Sequence, residues 1–153
     1  MKITSILNKE NIIFELKATT KAEVIDELIT ALSDNKQVND IKKLKEAVLE
    51  REEVLSTGIG KGLAIPHCRT NAVEDIVIAF GKTKIPIDFE ALDNKPVSFV
   101  FLIASNENLN REHLKLLKQI STMTYNDELL SKIVRAKDSD EIYNQLIELD
   151  NSI

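Results

Sequence analysis

Two histidines are the side chains of this sequence best suited to carrying a transferable group, and His67 stands in its least ordinary stretch. That stretch runs from Arg51 to Arg69 and holds three of the four glycines, at positions 58, 60 and 62. Pro66 directly precedes the histidine, fixing its own φ and stiffening the approach. The apolar run Leu63 to Ile65 would anchor the segment in a core. His67 is therefore expected where a rigid strand meets a loop. Imidazole suits reversible phosphoryl transfer: it is neutral and nucleophilic near physiological pH, and it leaves well once phosphorylated. A lone histidine serves structural ends as readily, so its presence alone leaves both readings open.

The glycines do not decide between them. Their alternation lacks the spacing of a dinucleotide fingerprint, and no Gly-Lys-Ser/Thr closes the run as a P-loop would. Taken alone they read as a tight turn. His113 adds more. With Leu116, Leu117 and Ile120 it follows the i, i+3, i+4, i+7 spacing of one helical face. It falls near a helix start, with Asn108 or Asn110 as candidate caps. A helix N-terminus favours anions through its free N–H groups and its dipole. A histidine there can hydrogen-bond a phosphoryl oxygen or orient another imidazole. The competing reading is a core-facing histidine with a satisfied hydrogen bond, and spacing does not say whether His113 meets His67. A zinc site of His67, Cys68 and His113 is disfavoured, because adjacent ligands are awkward and no regular ligand spacing appears.

The elements that must hold these residues are legible as patterns. Residues 20–33 read as a helix, with Thr20 and Glu23 as a capping-box pair and Ile25, Leu28, Ile29 and Leu32 on one face. Residues 40–53 repeat the pattern with Ile41, Leu44 and Val48. Further helices are expected near 109–124, 127–136 and 139–148, the last opened by Asp138 and Glu141. Ile76 to Gly81 and Val97 to Ala104 read as strands apolar on both faces, with Val97, Phe99, Phe101 and Ile103 sharing one side. Such strands belong to a sheet covered by helices on each side. The expected fold is α/β: a single-domain sandwich over residues 1–153, its mixed β-sheet flanked by α-helices on both sides.

The chain has 153 residues and a net charge of −5, with acids and bases mixed along it. Nucleic acid is not an expected partner, since phosphate backbones demand a basic face. Its single cysteine, Cys68, forms no internal disulfide and suits a reducing compartment. The apolar triplet Ile12 to Phe14 is too interrupted for a signal peptide, and the longest apolar run, Phe99 to Ala104, is far short of a membrane span. These features together give a cytoplasmic protein with no membrane insertion.

The residues from Arg51 to His67, Arg-Glu-Glu-Val-Leu-Ser-Thr-Gly-Ile-Gly-Lys-Gly-Leu-Ala-Ile-Pro-His, closely resemble the active-site stretch of type-2 enzyme IIA domains of the bacterial sugar phosphotransferase system. The similarity continues through Asp88-Phe89-x-Ala91-Leu92-Asp93-x-Lys95-Pro96-Val97, the Val100-Phe101-Leu102-Ile103 strand and His113-Leu114-x-x-Leu117. That family includes fructose- and mannitol-type transport components and a nitrogen-related regulatory paralogue. The resemblance implies that His67 accepts phosphate from the carrier HPr and passes it to a cysteine of a cognate enzyme IIB, with no cofactor. It gives Arg51 a charge-stabilising role, His113 a place beside the phosphorylated ring, and Ser56 and Thr57 a supporting role. Cys68 follows the histidine incidentally. The acids Glu52, Glu53, Glu74 and Asp75 lie close in sequence and are expected to rim an apolar docking patch around His67. Fructose-type uptake is the first reading and the regulatory paralogue the alternative.

Overall fold

The structure, a computed structural model, describes residues 2–151. Six strands form one mixed sheet: β1 (Ile12–Leu16), β2 (Gly58–Gly60), β3 (Leu63–Ala64), β4 (His67–Arg69), β5 (Ile76–Ile87) and β6 (Val97–Ser105). Their order is β1-β5-β6-β3-β2, with β4 also paired to β6. The long strands β5 and β6 are antiparallel, while β1 joins β5, and β3 and β4 join β6, in parallel. Five helices accompany the sheet: α1 (Lys21–Ala31), α2 (Ile41–Val54), α3 (Asn110–Ser121), α4 (Asp127–Arg135) and α5 (Ser139–Asn151).

The alternation of the central strands builds two apolar layers. Ile78, Phe80, Phe101 and Ile103 pack with Leu116, Ile120, Ile133 and Leu146 of α3, α4 and α5. Val77, Ala79, Val100 and Leu102 pack with Val24, Leu28, Leu44 and Val48 of α1 and α2. Each large side chain buried this way contributes about 1.5–3 kcal/mol relative to exposure. The expected sandwich of a mixed sheet between helices is the observed fold.

Three local expectations need correction. The triplet Ile12 to Phe14 forms most of β1, a strand the sequence reading did not assign. β5 runs on to Ile87, well past Gly81. Val97 packs with the α1/α2 layer and not with Phe99. The pairing explains this: Lys82 faces Phe99 and Ile87 faces Val97, so the register shifts between them and the alternation breaks.

At the other end of the motif the glycines make the tight turn expected of them. Gly60, Lys61 and Gly62 take φ of 112°, 58° and 80°, the left-handed region that glycine enters without steric cost. This turn reverses β2 into β3. Pro66 then divides β3 from β4 along the same flank of β6, because it has no N–H to give the ladder. Its carbonyl still accepts from the Ile103 N–H at 3.0 Å. No further strand covers β4 among the described residues. At that open edge α2 arrives from one face of the sheet and α3 from the other.

Candidate active site

The pairing of β4 with β6 sets His67 against Ile103 and Arg69 against Ser105. From there a cavity of about 690 Å³ opens between α2 and α3, lined by Arg51 and Val54 from α2, His67 and Arg69 from β4, and His113 and Leu114 from α3. The structure thus brings Arg51, His67 and His113 to one place. The two imidazole rings lie 5.4 Å apart between centroids, tilted by 55°.

His67 is half-buried, and its Nδ1 lies 2.7 Å from the Ile65 carbonyl oxygen. A carbonyl only accepts, so Nδ1 carries the proton and donates. The lone pair of the neutral ring is then on Nε2. Burial is the largest influence on its acidity and lowers its pKa below 6.5; the Ile65 bond opposes this, Arg51 adds to it and Glu52 opposes it. The ring is held neutral, as a nucleophile must be.

His113 is buried, and its Nδ1 lies 2.8 Å from the Ser105 hydroxyl. Burial, then the neighbouring His67 and Arg69, push its pKa down to about 4. It stays neutral at physiological pH, a hydrogen-bonding group and not a cation. The candidate caps Asn108 and Asn110 do not cap α3. Leu109 holds that position without a side-chain bond. The Asn110 side chain instead accepts from Arg69 Nη1 at 2.5 Å. The uncapped first turn leaves the positive end of α3 at the cavity wall, which suits an anion.

Arg51 sits in the last turn of α2, where its Nη1 donates to the Leu55 carbonyl at 3.0 Å. Ser56 and Thr57 are not brought to the cavity. The Ser56 hydroxyl donates to the Phe89 carbonyl at 2.7 Å. Thr57 donates to Glu52 through its N–H at 2.7 Å and through its hydroxyl. Both hold the turn that leads into β2. Cys68 is buried, and desolvation pushes its thiol up to about 12, so it remains an inert thiol beside His67.

The expected apolar surroundings are present: Val54 and Leu114 line the cavity and are strongly exposed. The expected acidic rim is not where the sequence put it. Glu50 and Glu107 line the cavity, whereas Glu52 is buried in an ion pair with Lys21 and Glu53, Glu74 and Asp75 do not line it. Helical geometry explains the first displacement, since adjacent residues point to different faces. Sequence reasoning also passed over Arg69 and Ser105. Arg69 lies two residues beyond His67, and the two-residue period of a strand puts it on the same face. Ser105, at the end of β6, carried no such signal.

The family described as "Phosphoenolpyruvate-dependent sugar phosphotransferase system, EIIA 2" matches residues 5–149. The chain belongs to that family. It is a phosphoryl carrier, a phosphotransferase component of the system. It is 42% identical over 142 residues to the PTS system fructose-specific EIIABC component of Bacillus subtilis (strain 168), covering 93% of this chain. The chain spans only 22% of the length of that relative. The nitrogen regulatory protein IIA-Ntr from Neisseria meningitidis superimposes with a TM-score of 0.88 at 28% identity, over 94% of this chain and 98% of that one. Enzyme IIAMTL of Escherichia coli, solved in complex with phosphorylated enzyme IIBMTL, shares the fold with a TM-score of 0.80 at 21% identity, over 94% and 99% of the two chains. No helix among the described residues is long and apolar enough to cross a membrane.

Proposed function

We propose that His67 is the phosphoryl acceptor, taking phosphate from HPr in the cytoplasm and giving it to a cysteine of a cognate enzyme IIB in the service of fructose-type sugar uptake. The observation that carries this reading is the bond from His67 Nδ1 to the Ile65 carbonyl, which leaves the Nε2 lone pair on a ring that lines an open cavity. In the first step Nε2 forms a bond to phosphorus as the N–P bond to the donor imidazole breaks. In the second, a thiolate sulfur of the partner bonds to phosphorus and His67 leaves as the neutral ring. Neither step needs a nucleotide or a cofactor, because the donor supplies an already activated phosphoryl group. Arg51 and the N-terminal end of α3 stabilise charge on the transferring oxygens, and His113 hydrogen-bonds beside the phosphorylated ring. Ser56 and Thr57 support the turn behind it.

The similarity to a fructose-specific relative supports the transport role. The closeness of the fold to a nitrogen regulatory protein supports a second reading, in which phosphorylation at the same histidine controls binding to another protein. One experiment tests both. Phosphoenolpyruvate, enzyme I and HPr should label the wild type, and His67→Ala should take no label. Equal labelling of that variant would end the assignment. The labelled protein is then offered to a panel of enzyme IIB domains. Rapid transfer to a fructose-type IIB supports uptake; transfer to none of them supports the regulatory role.

A further inference from the structure

Glu52 is a buried carboxylate that the proposed transfer does not use. It sits in the last turn of α2, at the end where the helix dipole disfavours a negative charge. Burial adds to that cost, and a well-packed apolar residue would serve stability as well or better. The carboxylate is nonetheless fully engaged. Lys21 lies 2.9 Å from its Oε2. The Thr57 N–H donates to Oε2 at 2.7 Å, and the Thr57 hydroxyl donates to Oε1. The grip continues toward the site. The Thr57 carbonyl accepts from the Ile65 N–H at 3.0 Å, and the Ile65 carbonyl accepts from His67 Nδ1 at 2.7 Å.

We infer that Glu52, anchored by Lys21, is a positioning residue that fixes the tautomer of His67 through Thr57 and Ile65. The inference rests on His67 being the acceptor. Free neutral imidazole in water prefers its proton on Nε2, which is the wrong nitrogen for a ring that must attack from there. The Ile65 carbonyl reverses the preference by accepting from Nδ1. A carbonyl does this only if it keeps its place, and Ile65, though its side chain is buried in the core, lies in the short link between β3 and β4 and not within either strand. The ion pair ties that carbonyl to α1 and α2, two helices already locked into the core. Glu52 touches no reacting atom.

Nitrogen-15 imidazole spectra at about pH 8, above the ordinary histidine pKa, read the tautomer without any phosphate present. The chain has two histidines, so His67→Ala assigns the signals. The wild type should show His67 protonated on Nδ1. Glu52→Ala should shift it toward the Nε2–H form and slow phosphate acceptance by about tenfold or more, as the loss of an orienting outer partner does elsewhere, with unchanged apparent affinity for HPr. Glu52→Gln, whose amide oxygen can still accept from the Thr57 N–H while its amide N–H donates to the Thr57 hydroxyl with the sense of that bond reversed, should restore the Nδ1–H form. Thr57→Val removes only the hydroxyl bond and should give a partial shift, which keeps the test decisive should Glu52→Ala not fold. A purely structural Glu52 would lower the melting temperature and leave the tautomer alone. Wild-type tautomer populations in folded Glu52→Ala or Thr57→Val, or no recovery in Glu52→Gln, would overturn the inference. Failure of the acceptor assignment would appear separately, as labelling that survives His67→Ala.

Discussion

The rings of His67 and His113 stand 5.4 Å apart, yet each takes its orientation from a different segment: His67 from the Ile65 carbonyl in the link between β3 and β4, His113 from the hydroxyl of Ser105 at the end of β6. Under the proposed function, two neutral imidazoles oriented independently would leave His67 free to attack and His113 free to steady what arrives. Their acidities follow from the same burial that brings them together.

The first expectation concerns the groups around the acceptor. Arg51→Ala and His113→Ala should fold, as judged by circular dichroism and cooperative melting, and should slow phosphate acceptance in rapid-quench measurements. Loss of a preorganised donor costs about 2.7–4 kcal/mol of barrier, or roughly 10²–10³ in rate, if the site behaves like an oxyanion hole. Wild-type rates in both folded variants would remove these residues from the mechanism.

The second expectation is a pH dependence with a definite sign. His113 ordinarily titrates near 6.5 and here near 4, so between those values the unfolded chain binds a proton that the folded one does not. Stability from this group is complete above about pH 6.5, falls as the pH drops toward 4, and changes no further below it. The total is about 3 kcal/mol, judged from the size of the shift. Urea unfolding across this range should show a loss in the wild type that His113→Asn lacks. His67 is displaced in the same direction. Phosphate acceptance should accordingly stay level as the pH falls through 6.5 and decline only below it. A decline centred at or above that value would contradict the buried neutral ring.

Partner approach offers a third test. Glu50 and Glu107 line the cavity beside Arg51 and Arg69, while Glu74 and Asp75 lie outside it. For a donor with a basic face, charge-reversing Glu50 and Glu107 to lysine should lower the transfer rate at low salt, and the difference should fade as salt rises. The same reversal at Glu74 and Asp75 should have little effect. If only the second pair mattered, docking would have to use a different face from the one that holds His67.

The parts of this design legible in sequence were those with a strong local period. The two-sided apolar strands announced the sandwich, and the spacing of His113, Leu116 and Ile120 put that histidine on the buried face of α3. The Arg51 to His67 stretch pointed to the family through resemblance, and with it to the region of the proposed acceptor. What escaped depended on contacts between distant segments. β1 is short and its sequence neighbours are polar, so only pairing with β5 makes Ile12 to Leu16 a strand. Asn110 looked like a cap until Arg69, from another element, claimed its oxygen. Glu52 looked like rim charge because nothing local reveals that Lys21 and Thr57 close around it.

Because β4 hangs on β6 by strand pairing, membership of the site is a question of parity. His67 and Arg69 share one side, and Cys68 between them, although it also touches the cavity wall, packs into the layer under α1 and α2. A slip of one residue in that pairing would exchange the two sets. The thiol would turn toward His113 and the imidazole would be driven under α2, with every residue type unchanged. A single-residue insertion between Pro66 and His67 should therefore be more damaging than most substitutions in the same stretch, whereas the two-residue step from His67 to Arg69 keeps both side chains in phase.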